Sequence, residues 1–462
     1  MKQNKTTKPT KPTKPTKPTV NLVPLGCPKA LCDAELMLAK LNDAGYKIVG
    51  EPGEADIVII NTCGFIGSAK EEAISEILEA AARKKDGINK RILITGCLAE
   101  RYKGELQKEF PEVDGAISLA NNTDIVSIVE RLEQGEKVFR FDGKPTVDME
   151  GDRAVITLPS YAYLRVADGC SNCCAYCAIP LIRGAFKSRP FENIIKEATD
   201  IAALGVKELV LVAQDTTRYG EDLYGKLRLP ELLNELSKID GIEWLRILYC
   251  YPERVTDELL DVIATNPKVV KYMDLPLQHS EERILKAMNR TGSRAELTEL
   301  IAHIRDKVPD ITLRTTVIAG LPADEYGESE DEWTSLAEFL HETNFYHLGV
   351  FEYSAEEGTK AAAMSGQVDD EEKARRRLII EEQQEFRAAE NLANEVGKTY
   401  KVLVEGYDRY LEMYFGRSEK YAPEIDGLIY FSGETGIPLY DFTAVRITEI
   451  SDNNLIGLAV TL

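Results

Sequence analysis

The sequence contains no apolar run long enough to span a membrane, which disfavours a membrane-spanning protein. It also lacks an even number of cysteines, since it has nine, which disfavours a secreted domain held together by disulfides. The chain also shows no signal peptide, because it opens on a polar, Lys-rich segment. We therefore expect the protein in a reducing compartment, the cytoplasm.

Positive charge is scarce as well, since 77 Asp and Glu outnumber 56 Lys and Arg and give a net charge of −21. The first nineteen residues carry six lysines and no acid, so the remainder is more acidic still. An acidic body is repelled by phosphate backbones and attracted to basic proteins. Acidity that serves only solubility is the simpler alternative, and charge alone does not decide between the two.

The first 145 residues divide into a tail and a domain. Residues 8–19 are four copies of Lys-Pro-Thr, and Pro at every third position forbids a helix, so residues 1–19 are predicted to be a disordered tail. Residues 20–145 alternate apolar strands with helices, which predicts a flavodoxin-like, doubly wound parallel sheet. The predicted strands are 20–25, 56–61 and 91–95, and the predicted helix faces are Leu31, Ala34, Leu38 and Leu41, then Ile74, Ile77, Leu78 and Ala81.

Residues 155–370 repeat the alternation of strand and helix. Six such units predict a partial (β/α)6 barrel, with its chemistry at the carboxyl ends of the strands. The predicted strands are 161–166, 208–213, 244–249, 269–275, 312–319 and 347–353, with helices such as 193–204 and 295–308.

The last 92 residues begin with a charged segment, 371–396, which is predicted to be a linking helix. Residues 397–462 alternate apolar and polar positions between glycine turns, which predicts a small β-barrel. Residues 398–462 contain six Lys or Arg and ten Asp or Glu. A barrel that binds RNA is expected to be basic, so this one suits a basic protein better. An acidic barrel used only as scaffold is the alternative.

Cys170, Cys174 and Cys177 lie just after the first strand of the predicted barrel, with the spacing C-x3-C-x2-C. Three close thiolates can hold three irons of a 4Fe–4S cluster and leave the fourth iron open to a small molecule. The alternative is a structural zinc site, but zinc usually takes four ligands in two pairs and no second pair lies nearby.

Cys27, Cys63 and Cys97 each follow an apolar run that is typical of a buried parallel strand. The carboxyl ends of such strands meet at one edge of the sheet, so the three thiols are expected to converge on a second cluster. Inert buried cysteines are the alternative. The remaining cysteines are interpreted as structural: Cys32 in a helix, Cys173 as a bystander and Cys250 in the barrel core.

These features together resemble the methylthiotransferase family of radical S-adenosylmethionine (SAM) enzymes, from about residue 20 to residue 462. The motifs that carry the resemblance are LGCPK, NTCGFI, TGCLAERY and ADGCSNCCAYCAIP, and those that favour the ribosomal-protein branch are QDTTRYG, LYCYP, DLPLQH, RTTVIAGLP, YSAEEGT and GRSEKYAPEIDG. Members that modify tRNA typically carry a Gly-Cys-Gln-Met-Asn-like motif where this chain has Gly26-Cys27-Pro28-Lys29. The resemblance implies a 4Fe–4S cluster on each three-cysteine set and a C-terminal TRAM domain.

The resemblance also implies an activity. Members of this branch add a methylthio group to the β-carbon of an aspartate in small-subunit ribosomal protein twelve, using two 4Fe–4S clusters and two SAM molecules. The implied partners are that basic protein, free or in the ribosome, and an external electron donor; tRNA is disfavoured and a monomer is expected. The alternatives are a tRNA adenosine methylthiotransferase and a two-cluster electron-transfer protein without radical chemistry.

The family pattern suggests Tyr176, Gln214, Asp215 and Arg314 as SAM contacts. Asp215 is equally suited to capping a helix. The chain has only four histidines, and among them His279 is a candidate for the cavity, with a structural role as the alternative. Arg183 and Arg189 are expected to hold the cluster loop or an anion, unless they form salt bridges.

Overall fold

The computed structural model describes residues 17–144, 147, 149–433 and 436–460. Most of the predicted tail, residues 1–16, therefore lies outside the described residues. Thr19, the last residue of that predicted tail, instead opens the first strand. Within the described ranges, no helix is both long and apolar enough to cross a membrane.

The first unit is a six-stranded sheet in which all neighbouring strands run parallel. Its strands are β1 (Thr19–Pro24), β2 (Lys47–Ile48), β3 (Ile57–Thr62), β4 (Arg91–Gly96), β5 (Gly115–Ile117) and β6 (Val138–Arg140), and its helices are α1 (Pro28–Asp43), α2 (Gly67–Lys85), α3 (Cys97–Tyr102), α4 (Glu105–Glu109) and α5 (Ile125–Glu133). The strand order β2-β1-β3-β4-β5-β6 confirms the flavodoxin-like prediction. The order reverses between β1 and β3, and a ligand crevice is expected at that point.

One predicted helix face in this unit is wrong at two of its four positions, whereas Ile77 and Ala81 do pack against the core. Helix α2 buries Ala73, Ile77 and Ala80, whereas Ile74 and Leu78 are exposed. Both assignments have helical spacing, and they differ by a rotation of one residue about the helix axis. The buried face of α2 thus includes two alanines, which a pattern of large apolar residues does not indicate.

The second unit is a six-stranded parallel sheet with the order β14-β13-β12-β11-β10-β7. Its strands are β7 (Tyr161–Arg165), β10 (Glu208–Val212), β11 (Trp244–Ile247), β12 (Val269–Asp274), β13 (Thr312–Ala319) and β14 (His347–Glu352), and a small ribbon is formed by β8 (Ala167–Asp168) and β9 (Lys187–Ser188). Its helices are α6 (Ile179–Arg183), α7 (Phe191–Ala203), α8 (Glu221–Tyr224), α9 (Leu229–Leu236), α10 (Asp257–Thr265), α11 (Glu282–Ala287), α12 (Arg294–Lys307) and α13 (Glu330–Thr343).

This sheet is a partial barrel, because among the described residues its edge strands β7 and β14 do not pair with each other. All six predicted strands form. Strand β11 ends two residues earlier than predicted, since Tyr249 adopts a left-handed φ of 60° and leaves the ladder. Alternate residues point to opposite faces, so Leu209 and Leu211 pack under the helices while Val210 lies on the inner face.

The long helix α14 (Asp370–Ala393) leads into a closed five-stranded barrel, as the sequence predicts. The strands of this C-terminal barrel are β15 (Thr399–Asp408), β16 (Met413–Arg417), β17 (Ile429–Ser432), β18 (Phe442–Ser451) and β19 (Asn454–Val460). The segment from Arg417, the last residue of β16, to Asp426 lies against the inner face of the partial barrel. We call this segment the inserted loop.

A buried ion-pair network holds the start of the inserted loop. Glu208 of β10 accepts hydrogen bonds from Arg246 Nε at 2.6 Å and from Arg417 Nη2 at 2.7 Å. Arg417 Nη2 also binds Glu405 at 2.7 Å, and all four side chains are buried. Burial by itself raises the pKa of Glu208, but the two guanidinium groups outweigh it and hold that pKa below its ordinary value. The network therefore joins two domains through paired charges.

Tyrosines of the inner face hold the end of the inserted loop. Tyr161 and Tyr163 donate their hydroxyls to the two carboxylate oxygens of Glu424, at 2.9 and 2.8 Å. Tyr272 donates to Asp426 Oδ2 at 2.7 Å. Three phenols on one sheet face thus meet two carboxylates of the C-terminal domain.

Replacing Tyr163 with Phe is expected to lower the free energy of unfolding by about 1.5–3 kcal/mol, because it removes a hydrogen bond to a charged acceptor. Urea unfolding measures the loss, and hydrogen exchange at residues 417–426 shows whether the inserted loop loosens. Tyr410→Phe is the matched control, since Tyr410 is fully exposed. Equal stability of the two variants would contradict a role of this bond in docking.

Candidate active site

The structure brings Cys27, Cys63 and Cys97 together at the carboxyl edge of the first sheet. Cys27 follows β1, Cys63 follows β3 and Cys97 opens α3 directly after β4. A Cβ atom added to Gly26 would lie 3.2 Å from Cys63 Sγ, and one added to Gly64 would lie 2.7 Å from the backbone nitrogen of Leu98. The three loops therefore pack against one another with no room for further side chains.

The charges around this set favour the thiolate form of one of its three cysteines, Cys27. Burial raises the pKa of the Cys97 thiol to about 12 and also raises the pKa of Cys63. Burial acts in the same direction on Cys27, but the nearby charges of Lys29 and Arg183 outweigh it and lower its pKa. Three thiols with two cations at hand form a donor set that suits an iron–sulfur cluster.

Cys170, Cys174 and Cys177 lie on the loop that follows β8. Two backbone hydrogen bonds hold this loop. Cys170 N donates to Gly184 O at 3.0 Å, and Ala175 N donates to Met288 O at 2.9 Å. Asn289 Nδ2 donates to the carbonyl of Cys173, whose side chain is exposed. The loop thus presents three cysteines inward and the fourth outward.

Two tyrosines from loops lie beside this cysteine set, Tyr251 after β11 and Tyr176 on the cysteine loop itself. The hydroxyl of Tyr251 lies 3.1 Å from Cys174 Sγ. Arg290 stacks over the Tyr251 ring at 4.2 Å and donates a hydrogen bond to the Tyr176 hydroxyl at 3.4 Å. Within the described chain, no three His, Cys, Asp or Glu side chains are grouped tightly enough for a single metal ion. A 4Fe–4S cluster requires a wider arrangement, because each thiolate binds a different iron.

A single short helix connects the two cysteine sets. Cys177 is followed at once by Ala178 and α6, and α6 packs against α3, which begins at Cys97. Ala178, Ile182 and Cys97 belong to one small buried apolar cluster. The two sets are therefore neighbours through α6.

Four buried charges lie beneath this junction. Asp33 of α1 binds Arg165, and Arg183 Nη2 donates to the other oxygen of Asp33 at 2.7 Å. Asp168 accepts from Arg183 at 2.8 Å and from Arg165 at 3.1 Å. Each of these side chains is at most 4% exposed. Two aspartates and two arginines thus clamp the first unit to the loop that carries the second cysteine set.

Two of the four predicted SAM contacts lie at the end of β10. Gln214 Nε2 donates to Asp168 Oδ1 at 3.0 Å, while its buried Oε1 accepts no hydrogen bond among the described residues. Asp215 caps the short turn Thr216–Arg218 and accepts a hydrogen bond from Asn172 of the cysteine loop at 2.9 Å. The capping alternative for Asp215 is thus observed, and Gln214 keeps a free acceptor.

Arg314, another of those predicted contacts, has protein partners. Its Nη1 binds Asp274 at 3.1 Å and Thr316 Oγ1 at 3.0 Å, and its Nε lies 3.6 Å from Asp426 of the inserted loop. Two carboxylates therefore compensate its charge without a ligand. Its assignment to SAM, like that of Tyr176, stays a prediction.

The remaining candidates have structural surroundings. His279 Nδ1 accepts from Glu281 N at 3.0 Å, so Nε2 carries the proton that is shared with Glu328 at 2.7 Å. Both ring nitrogens of His279 are thus used within the protein. Arg189 pairs with Glu150 and Glu197. Cys32 and Cys250 are buried free thiols, as expected of structural residues.

Sequence reasoning missed the ionic contacts between the first two units. Asp33 was not singled out, and neither was Glu356, which binds Arg101 and, at 3.0 Å, Lys70. Glu356 lies in the quoted motif YSAEEGT, so a signal was present. The motif does not indicate a partner 255 residues away.

Comparison with known proteins agrees with this architecture. Residues 19–118 match the uncharacterized protein family UPF0004, residues 164–339 the radical SAM superfamily and residues 396–460 the TRAM domain. The radical SAM match implies a 4Fe–4S cluster and SAM as cofactors. A solved structure of the radical SAM methyltransferase TsrM from Kitasatospora setae shares the fold, with a TM-score of 0.57 and 12% identity over 84% of this chain and 79% of that one.

Curated relatives match over almost the whole chain. The ribosomal protein uS12 methylthiotransferase RimO of Thermoanaerobacter sp. (strain X514) is 44% identical over 439 residues, which are 95% of this chain and 99% of that protein. The enzyme of the same name from Clostridium botulinum (strain Hall) is 45% identical over 441 residues, 95% of this chain and 97% of that protein. The chain therefore belongs to the family of ribosomal protein uS12 methylthiotransferases.

Proposed function

We propose that this chain transfers a methylthio group to the β-carbon of an aspartate in ribosomal protein uS12. The observation that carries the proposal is the identity of 44–45% to uS12 methylthiotransferases over 95% of the chain. The presence of two three-cysteine sets next to α6 supports it, because the reaction requires two kinds of chemistry at one substrate carbon.

Cys170, Cys174 and Cys177 are proposed to hold one 4Fe–4S cluster, and Cys27, Cys63 and Cys97 a second. When bound, the first supplies the electron that cleaves SAM to methionine and a 5′-deoxyadenosyl radical, and the second carries the sulfur that another SAM methylates. Each set offers three protein thiols and so leaves one iron without a protein ligand. The donor chemistry and nearby cations of both sets fit this assignment.

Other residues of the chain position the reactants. Gln214 Oε1 is a buried acceptor without a partner at a strand end, which suits a donor group of SAM. Helix α6 follows Cys177 and packs against α3, which begins at Cys97, so it helps to hold the two cysteine sets together. The inserted loop covers part of the inner face of the barrel and helps to keep water from the cavity.

The acidic C-terminal barrel suits a basic ribosomal protein, free or in the ribosome, better than it suits tRNA. An external electron donor is required for the SAM cleavage, and a single copy of the chain contains both cysteine sets. The nine free thiols fit a reducing compartment such as the cytoplasm.

A competition assay tests this function. The anaerobically reconstituted protein receives SAM, reductant and sulfide together with purified uS12 and unmodified tRNA, and mass spectrometry examines both substrates. We expect a methylthio group on one aspartate of uS12, together with 5′-deoxyadenosine. A methylthio group on a tRNA adenosine instead would show that the substrate is tRNA and not uS12. Absence of 5′-deoxyadenosine would refute the radical chemistry.

A further inference from the structure

Lys29 is a buried cation without a carboxylate partner among the described residues. It is 6% exposed, and among the described residues no carboxylate forms an ion pair with it. Its ammonium group instead lies 3.5 Å from the centroid of the Tyr249 ring. Buried arginines of the same region, such as Arg165, Arg183 and Arg189, all bind carboxylates.

The position of Lys29 makes its isolation more costly. It is the second residue of α1, where the helix dipole disfavours positive charge, and the first turn contains no acidic residue. The nearby carboxylate of Asp168 is already bound to Arg165, Arg183 and Gln214. Burying an ammonium group without a hydrogen-bonded carboxylate is unfavourable, and Cys27 is the only other protein anion proposed beside it, so a carboxylate from the substrate would be stabilised here.

Lys29 also lies between the two cysteine sets. It follows Cys27 by two residues, and its ammonium group faces Tyr249 at the carboxyl end of β11. Tyr251, two residues further, has its hydroxyl 3.1 Å from Cys174 Sγ, and two residues span at most about 7 Å. The ammonium group thus lies close to Cys27 and also faces Tyr249, near the residues that surround Cys174.

We infer that Lys29 binds the side-chain carboxylate of the target aspartate, which rests on the proposed function. The anion that completes the site is then the substrate itself, and the bond holds the β-carbon between the two cysteine sets. A neutral adenine offers no such anion, so Lys29 is a specificity-determining residue for a carboxylate side chain. This gives a physical role to the Lys of the Cys-Pro-Lys motif.

The test compares binding of two probes to the reconstituted protein: uS12, and uS12 whose modified aspartate is replaced by asparagine. A charge-assisted hydrogen bond corresponds to a preference of about 10- to 100-fold for the aspartate form. Lys29→Met is expected to lose that preference and to bind normal uS12 more weakly by the same factor. Lys29→Arg keeps the charge and is expected to retain most of the preference.

Lys47→Met is the matched control, because Lys47 is exposed on the edge strand β2 and is expected to behave as wild type. Iron content is measured for every variant. A Lys29→Met protein that still distinguishes the two probes would overturn the inference. So would loss of iron in that variant, because it would assign Lys29 to the cluster. If the wild type does not modify uS12 at all, the proposed function fails instead. The two failures are distinguishable, because the binding preference is measured independently of methylthio transfer.

Discussion

Replacing Cys27, Cys63 and Cys97 together with serine is expected to abolish methylthio transfer while SAM cleavage continues. Replacing Cys170, Cys174 and Cys177 is expected to abolish both. Each triple variant loses one cluster, so each should contain about half of the iron of the wild type. Iron analysis, detection of 5′-deoxyadenosine and mass spectrometry of uS12 measure the three quantities on the same samples.

Cys173→Ser is the control for these variants, since Cys173 is exposed and directly precedes a proposed ligand. It should retain all of its iron and both activities. Loss of SAM cleavage in the first triple variant would mean that the two sites do not act separately. Full iron content in either triple variant would refute the ligand assignment.

Replacing Arg183 with Met is expected to destabilise the protein by about 3–5 kcal/mol, the range for breaking a buried ion pair. The variant leaves Asp33 and Asp168 to share the single guanidinium group of Arg165 in a buried site. The first transition in thermal unfolding measures the loss. Hydrogen exchange over α1 and α6 shows whether it occurs at the junction of the two units.

The matched control is Arg131→Met, which breaks the pair with Glu136 between half-exposed side chains. Exposed pairs contribute less than about 1 kcal/mol, so this variant should unfold close to wild type. If Arg183→Met were equally mild, the four-charge cluster would not clamp the two units together.

The features that could be predicted from the sequence are those set by local spacing. Apolar runs locate the strands, and the strand ends locate Cys27 and Cys63 on either side of the point where the strand order reverses. Local spacing does not determine which side chains meet across domains. Arg314 is paired with a carboxylate in the inserted loop, and no pattern near Arg314 contains that information.

A second kind of failure concerns faces and ends of elements. The buried face of α2 consists of Ala73, Ile77 and Ala80, so the larger Ile74 and Leu78 misled the prediction. The end of β11 is set by the left-handed backbone of Tyr249, and a tyrosine in the sequence does not indicate that conformation. Both depend on tertiary contacts that override local preference.

The inserted loop has a consequence for how the protein is made. Arg417 reaches back 209 residues to Glu208, so the partial barrel leaves the ribosome long before the residues that cover its inner face. During translation, Glu208 and Arg246 face water on a nascent chain. They become buried only when the last domain has been synthesised and docks, and contacts so distant in sequence form slowly. A chain cut short before residue 417 therefore keeps an open barrel face, which distinguishes incomplete products from finished protein.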